Sequence, residues 1–328
     1  MFKAAYLIPI VSFFISAMCS FMIYKVAHRF ALIDVPNERS SHVIPTPRGG
    51  GIGICLAFII IGIFVIKNYS FTIIAGTMGL FGFLDDCFDI SSKTRLTRLI
   101  FPFIIATAVI LSFRGMPDSI ISLFLFMFWI VFVTGTANFF NFMDGINGIA
   151  GLTDVVGFGL IAFFSFFIAN EPDVALMSIA LVAGCLGFLP FNFPRAKVFM
   201  GDGGSLLLGF VFASFAVKLS ANISIFFCLV MFLCTFYADA IVTILYRWRR
   251  GENLLKAHRG HLYQYLSNEL RLPHWKVSLV YALVQFVFGV LALLAYRKEL
   301  VWQFAVFGAF GIMSLVIYKG IKDISRIS

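Results

Sequence analysis

The chain has 328 residues, of which 61% are hydrophobic and only 12% are charged. An ordinary soluble domain is about 45–50% apolar and about 25% charged, and a soluble protein of this size could not hide so much apolar surface from water. The composition excludes a soluble enzyme, a disordered chain and a small disulfide-rich scaffold. It indicates an integral membrane protein, because a spanning helix needs about 20 apolar residues.

The net charge of +9 would suggest nucleic-acid binding in a soluble chain. In a membrane protein it is explained by the Lys and Arg that accumulate in cytoplasmic loops, so we expect no nucleic-acid partner. The six cysteines lie mostly within apolar runs and form no CxxC pair. They are typical of small packing residues rather than of a disulfide or zinc framework.

Apolar runs between polar breaks predict one domain, residues 1–328, built as an all-α bundle of ten or eleven transmembrane helices. The runs are at about 4–24, 49–66, 71–84, 99–113, 119–137, 148–169, 174–193, 205–220, 222–245, 277–296 and 300–318.

Eleven crossings would place the two termini on opposite sides of the bilayer. Nineteen of the 25 Lys and Arg residues fall on the side of the first loop and the C-terminal tail. This bias predicts a cytoplasmic C-terminus and a periplasmic N-terminus. The cytoplasmic loops are the longer ones and are expected to form the active site. They lie at about 25–48, 85–98, 138–147, 194–204 and 246–276.

Two adjacent carboxylates, Asp85 and Asp86, end the third apolar run. Neighbouring acids at a membrane boundary repel each other and lose hydration. They persist most easily beside a cation or a basic partner. One interpretation is a solvated loop at the interface, and the other is a Mg²⁺ or proton-transfer site.

Polar side chains recur at every third position of NFFNFMDGING, as Asn138, Asn141, Asp144 and Asn147. In a helical turn, neighbours in this series share a face, and the glycines let the backbone approach a ligand closely. Amide and carboxylate oxygens suit a hard cation or the ribose and base of a nucleotide. The same residue types also form ordinary turns.

The segment FNFPRAKVFMGDGGS places Asp202 between glycines, directly before an apolar run. Unpaired N–H groups at a helix N-terminus attract anions, and a carboxylate there can hold Mg²⁺ against a phosphate. Lys197 adds a positive charge for a phosphate. The alternative is that Asp202 only caps the helix.

The most basic loop contains His258, Arg259 and His261. Two histidines three residues apart can ligate zinc, but zinc needs further protein ligands and this loop has no cysteine. Recognition of a phosphate by Arg and His is therefore favoured.

Two further acids, Asp154 and Asp239, lie within predicted spans, where ionisable residues are functional candidates. We expect Asp239 to pair with a basic residue of the most basic loop and to orient that loop. His28, His42 and His274 stand in loops without polar company and are assigned no role.

Five segments together resemble the polyprenyl-phosphate N-acetylhexosamine-1-phosphate transferases. This family includes phospho-N-acetylmuramoyl-pentapeptide transferase and the enzymes that initiate O-antigen, enterobacterial common antigen and teichoic acid synthesis. The resemblance runs from about residue 34 to about residue 265, with consistent order and spacing. The segments are PTPRGGG at 45–51, LDD at 84–86, NFFNFMDGINGIAG at 138–151, KVFMGDGGSLLLG at 197–209 and HRGH at 258–261.

The resemblance implies that a UDP-N-acetylhexosamine gives its sugar 1-phosphate to undecaprenyl phosphate, with release of UMP. The reaction is expected at the cytoplasmic face of the bacterial inner membrane. Mg²⁺, for which Mn²⁺ can substitute, and basic side chains would offset the repulsion between the two polyanions. A homodimer is a further expectation.

For the individual residues, the resemblance implies metal binding by Asp202 and Asp85 and catalytic roles for Asp85, Asp86 and Asp144. Either the lipid phosphate attacks the β-phosphorus directly, or a phospho-aspartate intermediate forms. Direct attack is favoured, because a lipid phosphate is already largely ionised at neutral pH. The residues implied to contact substrate are Asn138, Asn141, Asn147, Lys197, His258, Arg259 and His261.

The chain departs from the family pattern in two places. Asn147 stands where many members have Asp, which makes metal contact there less favourable. HRGHLYQ differs from the His-rich cluster of the peptidoglycan enzyme and argues against a muramoyl-pentapeptide substrate. It favours UDP-GlcNAc or a 6-deoxy sugar such as FucNAc or QuiNAc, as in O-antigen initiation.

A membrane transporter and a non-catalytic assembly partner are the alternative functions. Transporters place their polar groups near the midplane, often in repeated halves, whereas here the motifs cluster at one surface and no internal repeat is visible. The acidic motifs are all present, which disfavours a non-catalytic role.

Overall fold

A computed structural model describes residues 6–30, 32–37, 40–90, 96–253 and 259–324. The helices within these ranges are α1 (Leu7–Val26), α2 (Ile52–Ile60), α3 (Tyr69–Phe88), α4 (Thr97–Arg114), α5 (Ile120–Met143), α6 (Ile149–Phe164), α7 (Pro172–Asn192), α8 (Asp202–Leu219), α9 (Ile223–Met231), α10 (Cys234–Arg249), α11 (Leu262–Gln264), α12 (His274–Ala295) and α13 (Leu300–Ile324). Short π-helical turns continue α2, α6 and α11, namely Ile61–Ile66, Ser165–Ala169 and Tyr265–Glu269. The two short strands β1 (Ile33–Asp34) and β2 (Thr46–Pro47) pair antiparallel.

The apolar runs fold as helices because backbone polar groups inside a bilayer must be paired within their own segment. Eight helices of the described ranges are long and apolar enough to cross a membrane, or nine if α9 and α10 form one broken span. The prediction of an all-α polytopic membrane protein is confirmed. Ten of the eleven predicted runs each coincide with one helix or with a helix and its π-helical continuation, and the run at 222–245 covers two helices. The helices at Ile52–Ile66 and Ile100–Arg114 are short. The number of crossings and the orientation of the termini therefore stay predictions.

The helix at the centre of the bundle is α8, since 89% of its residues are buried inside the protein. Glycines let it approach α3 and α5 closely. A Cβ on Gly203 would lie 3.0 Å from Phe83 Cβ, and a Cβ on Gly209 would lie 2.9 Å from Ala137 Cα. Small residues permit this close packing in membranes, and here they hold the N-terminus of α8 beside the ends of α3 and α5.

The run predicted as one helix at 222–245 is broken: α9 and α10 meet at an angle of 88°. Polar side chains bind across the bundle next to this bend. Thr235 Oγ1 donates to Gln285 Oε1 (3.0 Å), and Gln285 Nε2 donates to the backbone oxygen of Thr153 (2.8 Å). These bonds tie α10 and α6 to α12 and so fix the direction in which α10 runs.

Loop segments that the charge analysis assigns to the same side of the membrane contact one another. At the end predicted to be periplasmic, Arg114 Nη2 donates to the backbone oxygens of Val217 (2.8 Å) and Ser220 (3.0 Å). There Lys218 also pairs with Glu171 at 2.9 Å. The acidic motif segments meet at the other end.

The packing of α1 on α7 generates a stability prediction. We expect Gly187→Ala to lower the free energy of unfolding by about 1–3 kcal/mol, as overpacking does, because a Cβ there would lie 2.3 Å from the backbone oxygen of Phe13. Thermal unfolding of the purified protein in detergent measures the change. Gly159→Ala is the matched control, since a Cβ on Gly159 meets no atom within 4 Å. Equal stability of the two variants would contradict the close packing.

Candidate active site

The carboxylate of Asp86 caps the N-terminus of α8 from the last turn of α3. Its Oδ1 accepts from the Asp202 amide and its Oδ2 accepts from the Gly203 amide, both at 3.2 Å. The first N–H groups of a helix have no partner within the helix and carry a partial positive charge. Asp86, which is 4% exposed, thus positions α8 and the Asp202 side chain.

The glycines of the GDGG segment are required by this contact. Gly201 has a φ of 75°, a conformation that favours glycine, and a Cβ on it would lie 2.4 Å from Asp86 Oδ2. On α3, a Cβ on Gly82 would lie 2.3 Å from the Asp202 backbone oxygen. The sequence motif therefore encodes the approach of α8 to α3.

Asn141 orients the Asp202 side chain from the end of α5. Its Nδ2 donates to Asp202 Oδ1 at 2.8 Å and to Ser205 Oγ at 2.9 Å. Ser205 Oγ in turn donates to the Gly201 backbone oxygen at 3.0 Å. These contacts join Asn141 to a carboxylate that lies 61 residues further along the chain.

Asp144 directly follows the last residue of α5, and its side chain lies in the field of the Asp202 carboxylate. Surrounding protein atoms withhold water from the Asp144 carboxyl and, with the smaller repulsion from Asp202, raise its pKa to about 7. Two acids that repel each other in this way are stabilised by a cation between them. The Asp144 and Asp202 carboxyls are therefore close enough for their charges to repel each other.

Asp85 is also buried on the last turn of α3. Beside it, Arg48 Nη2 donates to the Asp86 backbone oxygen at 2.8 Å, while the buried Arg48 Nε has no hydrogen-bond partner among the described residues. Cations favour helix C-termini, so Arg48 stabilises the end of α3. The sequence analysis counted Arg48 only as a topology charge, although its place in PTPRGGG could have identified it.

The backbone of residues 144–148 is fastened from two other helices. Asn192 Oδ1 accepts from the Gly148 amide at 2.7 Å, and Asn192 Nδ2 donates to the Val198 backbone oxygen at 3.0 Å. Ser278 Oγ donates to the Asn147 backbone oxygen at 2.8 Å, and the Asn147 amide lies 3.5 Å from His274 Nδ1. Asn192 and His274 are contributors that the sequence analysis missed.

Asn138 has a different environment from Asn141. Its side chain is buried, and its Nδ2 donates to the Thr134 backbone oxygen of its own helix at 2.9 Å. The structure thus directs this donor back to α5, one turn away from the residues that surround Asp202.

Asp239 anchors the predicted basic loop, which confirms that it pairs with a basic residue there. His261 Nδ1 lies 3.2 Å from Asp239 Oδ1, and the Leu262 and Tyr263 amides donate to the carboxylate at 2.8 and 3.1 Å. Tyr281 Oη adds a bond of 2.7 Å. A buried acid of α10 therefore caps α11 as Asp86 caps α8.

Tyr263 connects this loop to the DGING segment. Its Oη donates to the Phe142 backbone oxygen at 3.0 Å, and a Cβ on Gly145 would lie 2.1 Å from that Oη. Burial raises the pKa of Tyr263 well above its usual value, which keeps the hydroxyl a donor. The aromatic residue two positions after His261 is a further contributor that the sequence analysis missed.

The three residues of this loop that were predicted to contact substrate differ in their surroundings. His261 is 4% exposed and faces Asp239. Arg259 pairs with Glu269 at 3.3 Å on an exposed part of the loop. His258 lies outside the described residues.

Lys197 lies apart from the acids. It lines an open cavity of about 410 Å³ together with residues of α1 and of the first loop, and none of Asp85, Asp86, Asp144 and Asp202 lines it. Its five-residue distance along the chain from Asp202 does not make it a neighbour of that carboxylate in the fold.

The donor set near Asp202 fits Mg²⁺ bound with help from substrate. In the described ranges no three His, Cys, Asp or Glu side chains group closely enough to hold a metal ion alone. Mg²⁺ usually keeps several waters and binds one or two carboxylates together with substrate phosphates. Asp202 and Asp144 can provide those carboxylates.

Comparisons with known proteins agree with the motif pattern. The model of glycosyl transferase family 4 matches residues 68–220. Phospho-N-acetylmuramoyl-pentapeptide-transferase of Halalkalibacterium halodurans is 29% identical, over 76% of this chain and 82% of its own length. A probable undecaprenyl-phosphate N-acetylglucosaminyl 1-phosphate transferase of Bacillus subtilis is 26% identical, over 89% and 86%. Undecaprenyl-phosphate alpha-N-acetylglucosaminyl 1-phosphate transferase of Escherichia coli is 31% identical, over 60% and 58%.

The anchor of the basic loop can be tested by hydrogen exchange. We expect Asp239→Ala to speed exchange of the Leu262 and Tyr263 amides by about 10- to 100-fold, since a hydrogen bond to a charged group contributes about 1.5–3 kcal/mol. Glu269→Ala is the control on the same loop, because it removes only the exposed pair with Arg259, which contributes little. Unchanged exchange in Asp239→Ala would show that the loop is held by other contacts.

Proposed function

Because this chain belongs to glycosyl transferase family 4, we propose that it transfers an N-acetylhexosamine 1-phosphate from a UDP-sugar to undecaprenyl phosphate, releasing UMP. The observation that carries the proposal is the placement of Asp202 at the N-terminus of α8, where Asp86 binds the helix amides and Asn141 binds the Asp202 carboxylate. The acids meet at one end of the bundle, where a soluble nucleotide and a lipid headgroup can both arrive. Two of the relatives named above are undecaprenyl-phosphate N-acetylglucosaminyl 1-phosphate transferases, one of them described as probable. The third is a phospho-N-acetylmuramoyl-pentapeptide-transferase.

The proposed reaction exchanges one phosphoanhydride for another. An oxygen of the lipid phosphate forms a bond to the β-phosphorus of the UDP-sugar, and the bond from that phosphorus to the bridging oxygen breaks. The electron pair leaves with UMP, and the product is undecaprenyl-diphospho-sugar. No water is consumed, so the site must exclude it, which the burial of Asp85 and Asp86 favours.

The chain's own residues divide the work in this proposal. Asp202, held by Asn141, and Asp144 bind Mg²⁺, which neutralises phosphate charge. Asp86 positions α8 through the two amides it accepts from. Asp85 takes any proton that remains on the lipid phosphate. Direct attack is preferred to a phospho-aspartate because the acceptor is already an anion.

We further propose that the donor is a UDP-N-acetylhexosamine without a peptide, as in O-antigen-like surface polysaccharide initiation. The support is the loop sequence HRGHLYQ, which lacks a His-rich cluster, together with the burial of His261 against Asp239. The site faces the cytoplasm of a bacterial inner membrane in this proposal, in keeping with the charge bias of the loops.

The activity itself is the first test. Purified protein with Mg²⁺, undecaprenyl phosphate and a UDP-N-acetylhexosamine should release UMP, and EDTA should stop the release until Mg²⁺ is restored. We expect Asp202→Ala to reduce the rate by more than about 100-fold, as loss of transition-state charge stabilisation does. Asp173→Ala, an acid in the first turn of α7 at the other end of the bundle, is the control.

The donor panel decides the substrate. UDP-GlcNAc, UDP-GalNAc, UDP-FucNAc, UDP-QuiNAc and UDP-MurNAc-pentapeptide should be compared in the same assay. Absence of UMP release from every UDP-N-acetylhexosamine, by a folded preparation, would refute the proposed function. Release from UDP-MurNAc-pentapeptide alone would overturn the proposed donor.

The role of Asn141 is tested by metal dependence. We expect Asn141→Leu to weaken the apparent affinity for Mg²⁺ by about 10- to 100-fold, as loss of a residue that orients a metal ligand does. The Mg²⁺ concentration at half-maximal UMP release measures this. Asn253→Ala, an exposed asparagine, is the control. An unchanged Mg²⁺ dependence with a lower maximal rate would mean that Asn141 acts on substrate and not on Asp202.

A further inference from the structure

A second polar cavity, separate from the acidic site, opens at the same end of the bundle. Its volume is about 410 Å³. Three segments build it: the last turn of α1 with the turn that follows, the residues up to and including β2, and the chain between α7 and α8. We call it the basic cavity, and its lining residues are Tyr24, Lys25, His28, Ile44, Pro45, Thr46, Pro47, Ala196 and Lys197.

The charges of the basic cavity all have one sign. Lys25 and Lys197 come from segments more than 170 residues apart in the chain, yet they line the same space as His28, and no carboxylate lines it. Within the described ranges neither lysine forms an ion pair. Like charges that the fold brings together are stabilised by an anion, and a compact group such as a phosphate suits lysine.

The surroundings of the basic cavity are apolar and face outward. On α1, the side chains of Phe21 and Tyr24 are exposed, and Lys25 Nζ lies 5.6 and 5.8 Å from their ring centroids. Ile44, in the cavity wall, is 70% exposed, and the adjacent Val43 is 88% exposed. Aromatic rings and lysines at the end of a spanning helix lie at the level of the lipid headgroups, and exposed aliphatic residues there insert among acyl chains.

We propose that the basic cavity binds the phosphate of an anionic phospholipid from the surrounding leaflet. Lys25 and Lys197 contact the phosphate, and Tyr24 and Ile44 contact the first part of the acyl chains. Basic pockets at the cytoplasmic end of spanning helices bind anionic headgroups. The outward apolar wall favours a lipid over a soluble phosphate, because a nucleotide would leave Val43 and Ile44 in water. This inference depends on the membrane location of the chain and not on the proposed transferase reaction.

The test measures phospholipid binding to the full chain in neutral detergent. Phosphatidylglycerol is titrated and the bound fraction is read by native mass spectrometry, with phosphatidylcholine as the reference lipid. We expect Lys25→Gln and Lys197→Gln each to weaken phosphatidylglycerol binding by about 5-fold, and the double variant by about 25-fold. Lys276→Gln is the matched control, since Lys276 also lies over an aromatic ring at the start of a span, near Trp275, but does not line the cavity.

Each competing result identifies a different ligand. Equal binding of the two lipids, or an equal loss in Lys276→Gln and in the double variant, would overturn the proposal. Inorganic phosphate and UMP are titrated in parallel. If these soluble anions bind with an affinity that the double variant loses, while phosphatidylglycerol binding is unchanged, the cavity is a nucleotide or phosphate site and the lipid assignment is wrong.

Discussion

The two hydrogen bonds from the α8 amides to the Asp86 carboxylate are the contact on which the candidate site depends. At the N-terminus of α8 the residues from Gly203 onward are buried, and a buried N–H group without a partner is costly. Asp86 pairs two N–H groups of α8, while Arg48 binds the backbone oxygen of the same Asp86. Asp86 thus connects the C-terminal end of α3 to the N-terminal end of α8. These hydrogen bonds position Asp202, the first residue of α8.

The same arrangement recurs at Asp239, which accepts from the first amides of α11 and from His261. In both places an acid on a long helix fixes the start of a segment that would otherwise have unpaired donors. Near the second of these contacts, Tyr263 packs against Gly145 and donates to the Phe142 backbone oxygen, so the basic loop is bonded to the DGING segment. The acids of the chain therefore serve two purposes. Asp86 and Asp239 accept hydrogen bonds from backbone amides, whereas Asp144 and Asp202 are the acids that we propose bind a cation.

The bilayer explains why the acidic site and the basic cavity lie at one end of the helices. A phosphate on a lipid and a phosphate on a nucleotide can meet only at the surface of the membrane, because neither crosses its apolar interior. The acidic site and the basic cavity occupy the same end of the helices, but they share no lining residue. In the two proposals, the acidic site binds a cation with substrate phosphates and the basic cavity binds a lipid headgroup.

The amino-acid sequence by itself determined the membrane fold, the approximate position of each helix and the end of the bundle at which the acidic motifs lie. These follow from composition and from the length of apolar runs, which are local properties. The sequence also indicated that Asp239 would orient the basic loop. It did not reveal the break between α9 and α10. Sharp kinks usually occur at Pro or Gly, and residues 228–236 contain neither.

Only the tertiary structure decided which acid does what. Asp86 and Asp202 are separated by 116 residues, so no periodicity in the chain could show that one caps the helix of the other. For the same reason the sequence did not show that His261 lies against Asp239, or that Lys197, expected to contact a phosphate, lines a cavity with Lys25. Motifs specify which groups are present. Distances between segments far apart in the chain decide which charges are already paired and which remain to meet a ligand.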